Sequence, residues 1–338
     1  MPPMPRPTRA LVTGAAGFIG SHVADACLEL GMQVVACDDL SGGFRENVPD
    51  AATWIEGDVR DAAFVRSLWD EGPFEYVYHL AAYAAEGLSH FIRSFNYRTN
   101  LEASAHLINQ AVLGDARRFV FTSSIAVYGA HQLPMSEDLT PEPEDPYGIS
   151  KYAVELDLAA AHRMFGLEYT IFRPHNVYGE RQNISDRYRN VVGIFMNSVL
   201  RDEAMPVFGD GLQTRAFSHI DDVAPAIARS PLVDATTNQT YNIGADQPVS
   251  VLELAEVVAD AFEVPCRVEH LPARNEVVHA FSDHTKVRAD LELGEPVELR
   301  DGIARMTRWV RSHGPQEPVR FKGEIELPRN LPPSWAEE

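Results

Sequence analysis

Cysteine is scarce in this chain. Cys27, Cys37 and Cys266 are the only three among 338 residues. Their odd number and the lack of Cys-x-x-Cys spacing argue against a disulfide framework and against a structural zinc site, so no metal is expected. No run of about 18 apolar residues is present, so no membrane span is expected. The N-terminal Met1-Pro-Pro-Met-Pro-Arg-Pro7 has no apolar signal core, and a cytoplasmic location is expected. Positive charge is short as well: 29 Lys and Arg stand against 49 Asp and Glu, for a formal net charge of −20. Such a surface repels phosphate backbones and argues against nucleic acid as a partner. An anionic ligand would need a local basic pocket. Lysine occurs only as Lys151, Lys286 and Lys322, and arginine supplies the remaining positive charge.

What is present is an ordinary globular composition, 45% hydrophobic and 23% charged, long enough for a large core or two packed lobes. Strands are expected at residues 9–13, 33–38, 53–56, 74–79, 118–123 and 168–173. Helices are expected between them at 18–31, 61–70, 95–113 and 147–165. This alternation predicts an α/β fold with a parallel sheet covered on both faces over residues 1–178. Residues 179–313 are expected to form a smaller mixed α/β substrate lobe, with helices at 191–201, 221–229, 251–262 and 301–311. Residues 216–245 would return to the sheet through 239–244. The Pro-rich tail, 314–338, reads as weakly structured and carries no functional signal.

Tyr147-Gly-Ile-Ser-Lys151 places a phenol and an ammonium four residues apart, one above the other on a helix face. An ammonium beside a phenol favours the phenolate, which predicts a Tyr147 pKa below its usual value of about 10 and a group able to act as a general base. The same spacing also occurs in solvated helices, so the pair gains weight only from other motifs. Gly14-Ala-Ala-Gly17-Phe18-Ile19-Gly20 lies between the first strand and the first helix, where glycines permit a tight turn and a pyrophosphate can sit on the helix N-terminus. Asp38 ends the second strand, where a carboxylate either accepts an adenosine ribose or caps a loop. With Asp39 next to it, a 2′-phosphate would be repelled, which favours NAD over NADP. Asp58 is placed to accept the adenine amino group, and Asp61 is the more natural N-cap for the following helix.

Together the motifs resemble the extended short-chain dehydrogenase/reductase family, in particular its nucleotide-sugar epimerases and dehydratases, over about residues 8–312. The resemblance rests on the glycine turn, Asp38-Asp39-Leu40-Ser41, Gly57-Asp58-Val59-Arg60-Asp61 and His79-Leu80-Ala81-Ala82. It also rests on Thr122-Ser123-Ser124-Ile125-Ala126-Val127-Tyr128-Gly129, Tyr147-x-x-x-Lys151 and Arg173-Pro174-His175-Asn176-Val177-Tyr178-Gly179. It implies a Rossmann-type, doubly wound sheet with NAD over its carboxyl edge. The implied cofactor contacts are Gly14, Gly17, Phe18, Ile19, Gly20, Asp38, Asp39, Leu40, Ser41, Asp58, Val59, Leu80, Ala81, Ala82, Asn100, Thr122, Tyr147, Lys151 and His175; Asn100 also resembles the polar residue that steadies the active-site helix and a water, with a surface asparagine as the alternative. Ser124 would bond the sugar hydroxyl that Tyr147 deprotonates, while Lys151 holds the nicotinamide ribose. In the implied nucleotide-sugar pocket, Arg215 and Arg274 clamp the diphosphate, Asn176 and Asn190 bond diphosphate or sugar, and Val191 and Phe208 flank the base. For either arginine the alternative is a surface ion pair. A homodimer through the helices at 95–113 and 147–165 is implied too.

Neighbouring acids decide the fate of the oxidised sugar. The 4,6-dehydratases that the chain resembles carry Asp-Glu directly after the Ser124 position, the uronate decarboxylases carry Glu at the second of these positions, and the GDP-mannose 3,5-epimerases carry cysteine there. This chain has Ile125 and Ala126, neither of which moves a proton. Ser-Ile-Ala-Val-Tyr-Gly instead resembles the 4-epimerases, which need only the Ser, Tyr and Lys set with NAD. The expected function is an NAD-dependent nucleoside-diphosphate-sugar 4-epimerase acting on UDP-glucose and UDP-galactose. A 3,5-epimerase-like or dehydratase activity and a non-catalytic NAD-sensing protein are the alternatives, and retention of both Tyr147 and Lys151 speaks against the last. One departure stands out. Tyr83-Ala84-Ala85-Glu86-Gly87 has alanine where familiar UDP-galactose 4-epimerases carry lysine, and Glu86 either reaches a sugar hydroxyl or is solvated.

Overall fold

The computed structural model describes residues 8–273 and 277–336. Seven strands form the central sheet, in the spatial order Gln239–Ile243, Glu168–Pro174, Arg118–Thr122, Tyr76–His79, Arg9–Thr13, Gln33–Asp38, Thr53–Glu56. Every neighbouring pair is parallel. Alternate residues of the first strand feed two separate cores. Ala10 and Val12 pack with Val23, Ala24 and Ile227, whereas Leu11 packs with Leu107, Val154 and Leu158. Burial on both faces is why these strands read as continuous apolar runs. Helices Phe18–Glu29 and Ile220–Arg229 cover one face; Ala62–Leu68, Ala103–Leu113 and Pro146–Phe165 cover the other.

Two glycines are dictated by close backbone approach. Gly14 has φ +71°, and a Cβ there would lie 2.6 Å from the Ala81 amide nitrogen. A Cβ on Gly20 would stand 2.0 Å from the Gly14 carbonyl oxygen. The turn is thus pressed against both the neighbouring strand's end and its own helix. A third core, containing Phe195, Val207, Leu254, Val258, Ile303 and Met306, joins helices Val191–Leu200, Val251–Ala261 and Leu299–His313. Among the described residues no helix is long and apolar enough to cross a membrane.

Helix Thr285–Leu291 and the paired short strands Met205–Phe208 and Val268–Leu271 have no counterpart among the expected elements, and two further segments differ in ways that bear on the site. The single helix expected at 95–113 is interrupted: Arg93–Tyr97 and Ala103–Leu113 are joined by a π-helical turn at Arg98–Glu102. Such a turn re-aims side chains, and Asn100 lies in it. The tail is not loosely attached. Val319 N donates to the Ser185 carbonyl at 2.7 Å, Leu327 N to the Phe91 carbonyl at 3.2 Å, and Glu326 accepts from Ser94 N and Phe95 N at 2.8 and 3.0 Å. Trp335 is buried with Ala85, Leu88, Ile92 and Tyr188. The apolar anchors Phe321, Ile325, Leu331 and Trp335 follow neither the helical nor the strand period, so pattern reading passes over them.

Beneath the site lies a buried ion pair. Arg173 and Glu155 have side chains 6% exposed and meet at 2.5 Å. Ser123 Oγ also donates to Glu155, and Arg173 donates to the Tyr128 hydroxyl at 2.7 Å. Breaking one partner leaves a buried charge. Arg173→Met should lower unfolding free energy by about 3–5 kcal/mol in urea denaturation, and the double variant Glu155→Gln/Arg173→Met should recover much of that loss.

Candidate active site

A cleft of about 770 Å3 runs along the carboxyl edge of the sheet, within the range of about 300–1,000 Å3 typical of ligand sites. Gly14, Gly17, Phe18, Ile19 and Gly20 line one arm. Gly17 caps helix Phe18–Glu29 without a side-chain hydrogen bond, so the first-turn amides are open to an anion. Asp38 accepts from Ala16 N at 3.1 Å and Leu40 N at 2.8 Å, tying the glycine turn to the second strand. Burial raises its pKa while those amides oppose the shift. Arg60 binds both oxygens of Asp58, at 2.9 and 2.8 Å from Nε, and stands 3.8 Å from Asp39. Three carboxylates against one guanidinium leave this arm negative, which suits ribose hydroxyls and disfavours a 2′-phosphate. Ser41, Val59, Leu80, Ala81, Ala82, Thr122 and His175 complete it. Thr122 Oγ1 is buried without a partner, which fits a hydroxyl-bearing ligand such as the NAD ribose.

The candidate catalytic group begins at the N-terminus of helix Pro146–Phe165. Asp145 caps it, accepting from Tyr147 N at 2.8 Å and Gly148 N at 3.0 Å, with Pro146 in the first helical turn. This puts Tyr147 in the first turn and Lys151 one turn later. The Tyr147 phenol is hydrogen-bonded to Ser124, whose Oγ also caps the short turn Ile125–Val127 by accepting from Ala126 N at 3.1 Å. Lys151 Nζ donates to the Thr122 carbonyl at 2.8 Å and lies 5.9 Å from the Tyr147 ring centroid. The expected fall in the Tyr147 pKa is not found. Burial pushes the phenol up, the Ser124 bond works against that, and the nearby Glu86 and Asp145 carboxylates raise it further. Burial also lowers Lys151 to about 7, opposed by Glu155. The helical spacing counted the ammonium but not the desolvation of both groups.

His175 is buried, with Nδ1 2.9 Å from the Ala216 carbonyl and Nε2 2.9 Å from His284 Nε2. Burial and then His284 lower its pKa to about 3, so it lines the cleft as a neutral ring. Asn176, Asn190, Val191, Phe208 and Arg215 line the other arm. Asn176 and Asn190 take left-handed φ values of 42° and 63°, which asparagine tolerates. Arg215 is gripped by carbonyls, at 2.9 Å from both Thr214 and Val278 and 2.5 Å from Val277. Arg274 lies outside the described residues.

Two expected cofactor contacts lie outside the cleft lining. Leu40 gives its amide to Asp38 and packs its side chain on the first core, outside the cleft lining. Asn100 is also outside it. Its Oδ1 accepts from Tyr83 N at 2.9 Å, and its Nδ2 donates to Tyr83 O at 3.1 Å and Asn96 Oδ1 at 2.8 Å. All of these bonds go to the protein, so Asn100 positions the Tyr83 segment. Sequence reasoning missed Asp145, Tyr83 and Arg189. The Asp-Pro cap signal could have found the first. The Arg189 guanidinium lies 5.2 Å over the Tyr83 ring, a long-range pairing that no local pattern encodes.

Lys151 is protonated in the unfolded chain up to about 10.5, but in the folded protein only below about 7. The unfolded state therefore binds more protons across that window, and stability rises with pH through it. Lys151→Met should remove this rise from unfolding free energies measured at about pH 7 to 10. An identical slope in wild type and variant would contradict the buried amine.

The model of the NAD dependent epimerase/dehydratase family matches residues 10–244. A UDP-glucose 4-epimerase of Mycolicibacterium smegmatis is 34% identical over 312 residues, covering 90% of this chain and 99% of that protein. The crystal structure of UDP-glucose 4-epimerase with UDP-glucose from Thermotoga maritima shares 33% identity and a TM-score of 0.86, covering 90% of this chain and 99% of that one. UDP-glucuronic acid 4-epimerase from Bacillus cereus, in complex with UDP-glucuronic acid and NAD, gives 26% identity and a TM-score of 0.83, covering 90% and 100%. The glycine turn, Asp38, Ser124, Tyr147 and Lys151 all fall inside the family match. With its Rossmann-like sheet and NAD as cofactor, this chain belongs to the NAD-dependent epimerase/dehydratase family of extended short-chain dehydrogenase/reductases that act on nucleotide sugars.

Proposed function

We propose that the protein is a nucleoside-diphosphate-sugar 4-epimerase, with UDP-glucose and UDP-galactose as its substrate pair. One observation carries the reading: Ser124, Tyr147 and Lys151 meet in the cleft, while the wall beside Ser124 is made of Ile125 and Ala126. NAD, when bound, supplies the hydride acceptor and a positive ring that favours the Tyr147 phenolate. Tyr147 takes the proton from the sugar 4-hydroxyl while Ser124 orients that hydroxyl. Lys151 holds the ribose and the phenol in register. The 4-keto sugar turns in the pocket, and Tyr147 returns the proton once the other face is reduced. Ile125 and Ala126 offer no acid or base, so elimination of water has no proton path beside Ser124. Arg215 and the Asn176 and Asn190 amides bind the diphosphate, with Val191 and Phe208 beside the base.

The test is incubation with UDP-glucose, UDP-N-acetylglucosamine and UDP-glucuronic acid, with chromatographic resolution of epimers. Failure to form the 4-epimer of any of them would refute the reading. Tyr147→Phe should lower kcat by about 10²–10⁴-fold. A second reading, a 3,5-epimerase-like exchange, draws on Glu86, a carboxylate that lines the cleft and acts electrostatically on Tyr147. Solvent deuterium at C3 or C5 of the recovered sugar would favour it; a 4-epimerase leaves both unlabelled.

We also propose a homodimer through the helices Ala103–Leu113 and Pro146–Phe165. Leu113, Leu156, Met164 and Phe165 are 75%, 54%, 75% and 67% exposed, a run of large apolar side chains that a partner copy would cover. Light scattering should give twice the chain mass, and Leu156→Glu should halve it.

A further inference from the structure

The tail spans the mouth of the cleft. It leaves one wall at Val319, whose amide bonds Ser185 and which bridges to Asp186. It reaches the other at Glu326, which binds the amides of Ser94 and Phe95. Between these anchors Arg320, Phe321, Lys322 and Gly323 line the cleft itself. Phe321 sits 4.9 Å from the Phe95 ring and 5.4 Å from the Tyr83 ring.

These neighbours belong to one arm of the cleft. Phe95 carries the Arg60 guanidinium 5.5 Å over its ring, and Arg60 holds Asp58 and approaches Asp39. Tyr83 comes directly after Leu80, Ala81 and Ala82. Arg189, stacked on Tyr83, reaches Gly42, where an added Cβ would meet its Nη2 at 2.9 Å. Arg60, Asp58, Asp39 and Gly42 lie on the dinucleotide side, and Arg189 stands where that side meets Asn190 and Val191 of the other arm. Charge points the same way. The dinucleotide arm holds Asp38, Asp39 and Asp58, and its guanidinium Arg60 is taken by Asp58; Arg189, where the arms meet, is taken by Asp186. Among the described residues neither Arg320 nor Lys322 has an ion-pair partner, so both charges are available to an anion.

We propose that residues 319–326 form a strap that retains NAD: Arg320 and Lys322 supply positive charge to the dinucleotide diphosphate, and Phe321 locks the strap between Tyr83 and Phe95. The strap rests on NAD being the cofactor and not on the choice of sugar.

The full-length protein is stripped of nucleotide and titrated with NAD, following intrinsic fluorescence. Release is followed by chromatography of the nucleotide kept after repeated dilution and filtration. Arg320→Glu/Lys322→Glu should raise the NAD Kd about tenfold or more, and added salt should weaken wild type more than the variant. Phe321→Ala should speed NAD release by a similar factor. Both charged positions are exposed, and a thermal melt checks folding; Arg320→Gln/Lys322→Gln serves if charge reversal unfolds the chain. An NAD Kd within about twofold of wild type in the folded charge variants would overturn the proposal. So would a raised KM for the sugar nucleotide at unchanged NAD Kd, which would assign the strap to the substrate.

Discussion

Lys151 donates from Nζ to the carbonyl of Thr122, at the carboxyl end of a central strand, and the geometry of the site depends on that bond. An amine buried in an apolar setting is unfavourable unless an acceptor meets it. The carbonyl does so here, and Glu155 one turn further along the helix adds opposite charge. Anchored at this point, helix Pro146–Phe165 holds Tyr147 one turn earlier, beside Ser124, which lies two residues beyond the end of the same strand. Glu155 is itself held by Arg173 on the next strand and by Ser123. Two adjacent strands therefore grip successive turns of one helix, which fixes the backbone that carries Tyr147 relative to Ser124.

A second constraint is electrostatic. A chain with net charge −20 has to admit a dinucleotide and a nucleotide sugar. It does so by local partition. Carboxylates gather in the arm that holds Asp38, Asp39 and Asp58, and the helix that follows the glycine turn starts without a side-chain cap. Arg60 and Arg189 are spent on fixed carboxylates and Arg215 is held in place by carbonyls, which leaves the strap's Arg320 as a guanidinium without an ion-pair partner among the described residues. The same burial that builds the cleft raises the Tyr147 pKa and lowers that of Lys151. Both groups are thus held toward their neutral forms, poised for a charged ligand to shift them.

The Rossmann-like sheet was legible because its signals are local. Six of the seven strands come from runs of β-branched and aromatic residues alternating with helical periods, and Gln239–Ile243 comes from a return to that pattern. The glycine turn was legible because only glycine permits the approach of Gly14 to Ala81 and of Gly20 to Gly14. Asn100 was legible only in part, as a residue that steadies the active-site helix: it bonds Asn96, which bonds Pro146 O at the start of that helix. A resemblance gives a residue's place but not its bonds, and its bonds go to Tyr83 and Asn96. The tail escaped because its anchors are spaced for a surface that the rest of the chain builds.

The sequence by itself determined the order and kind of the main elements, the glycine turn and the four-residue spacing of Tyr147 and Lys151, because sterics and periodicity act between near neighbours. Tertiary structure alone decided the direction of both pKa shifts and the path of residues 319–326 across the cleft. Desolvation, and contacts such as Phe321 on Tyr83, depend on atoms that the chain brings together from far apart.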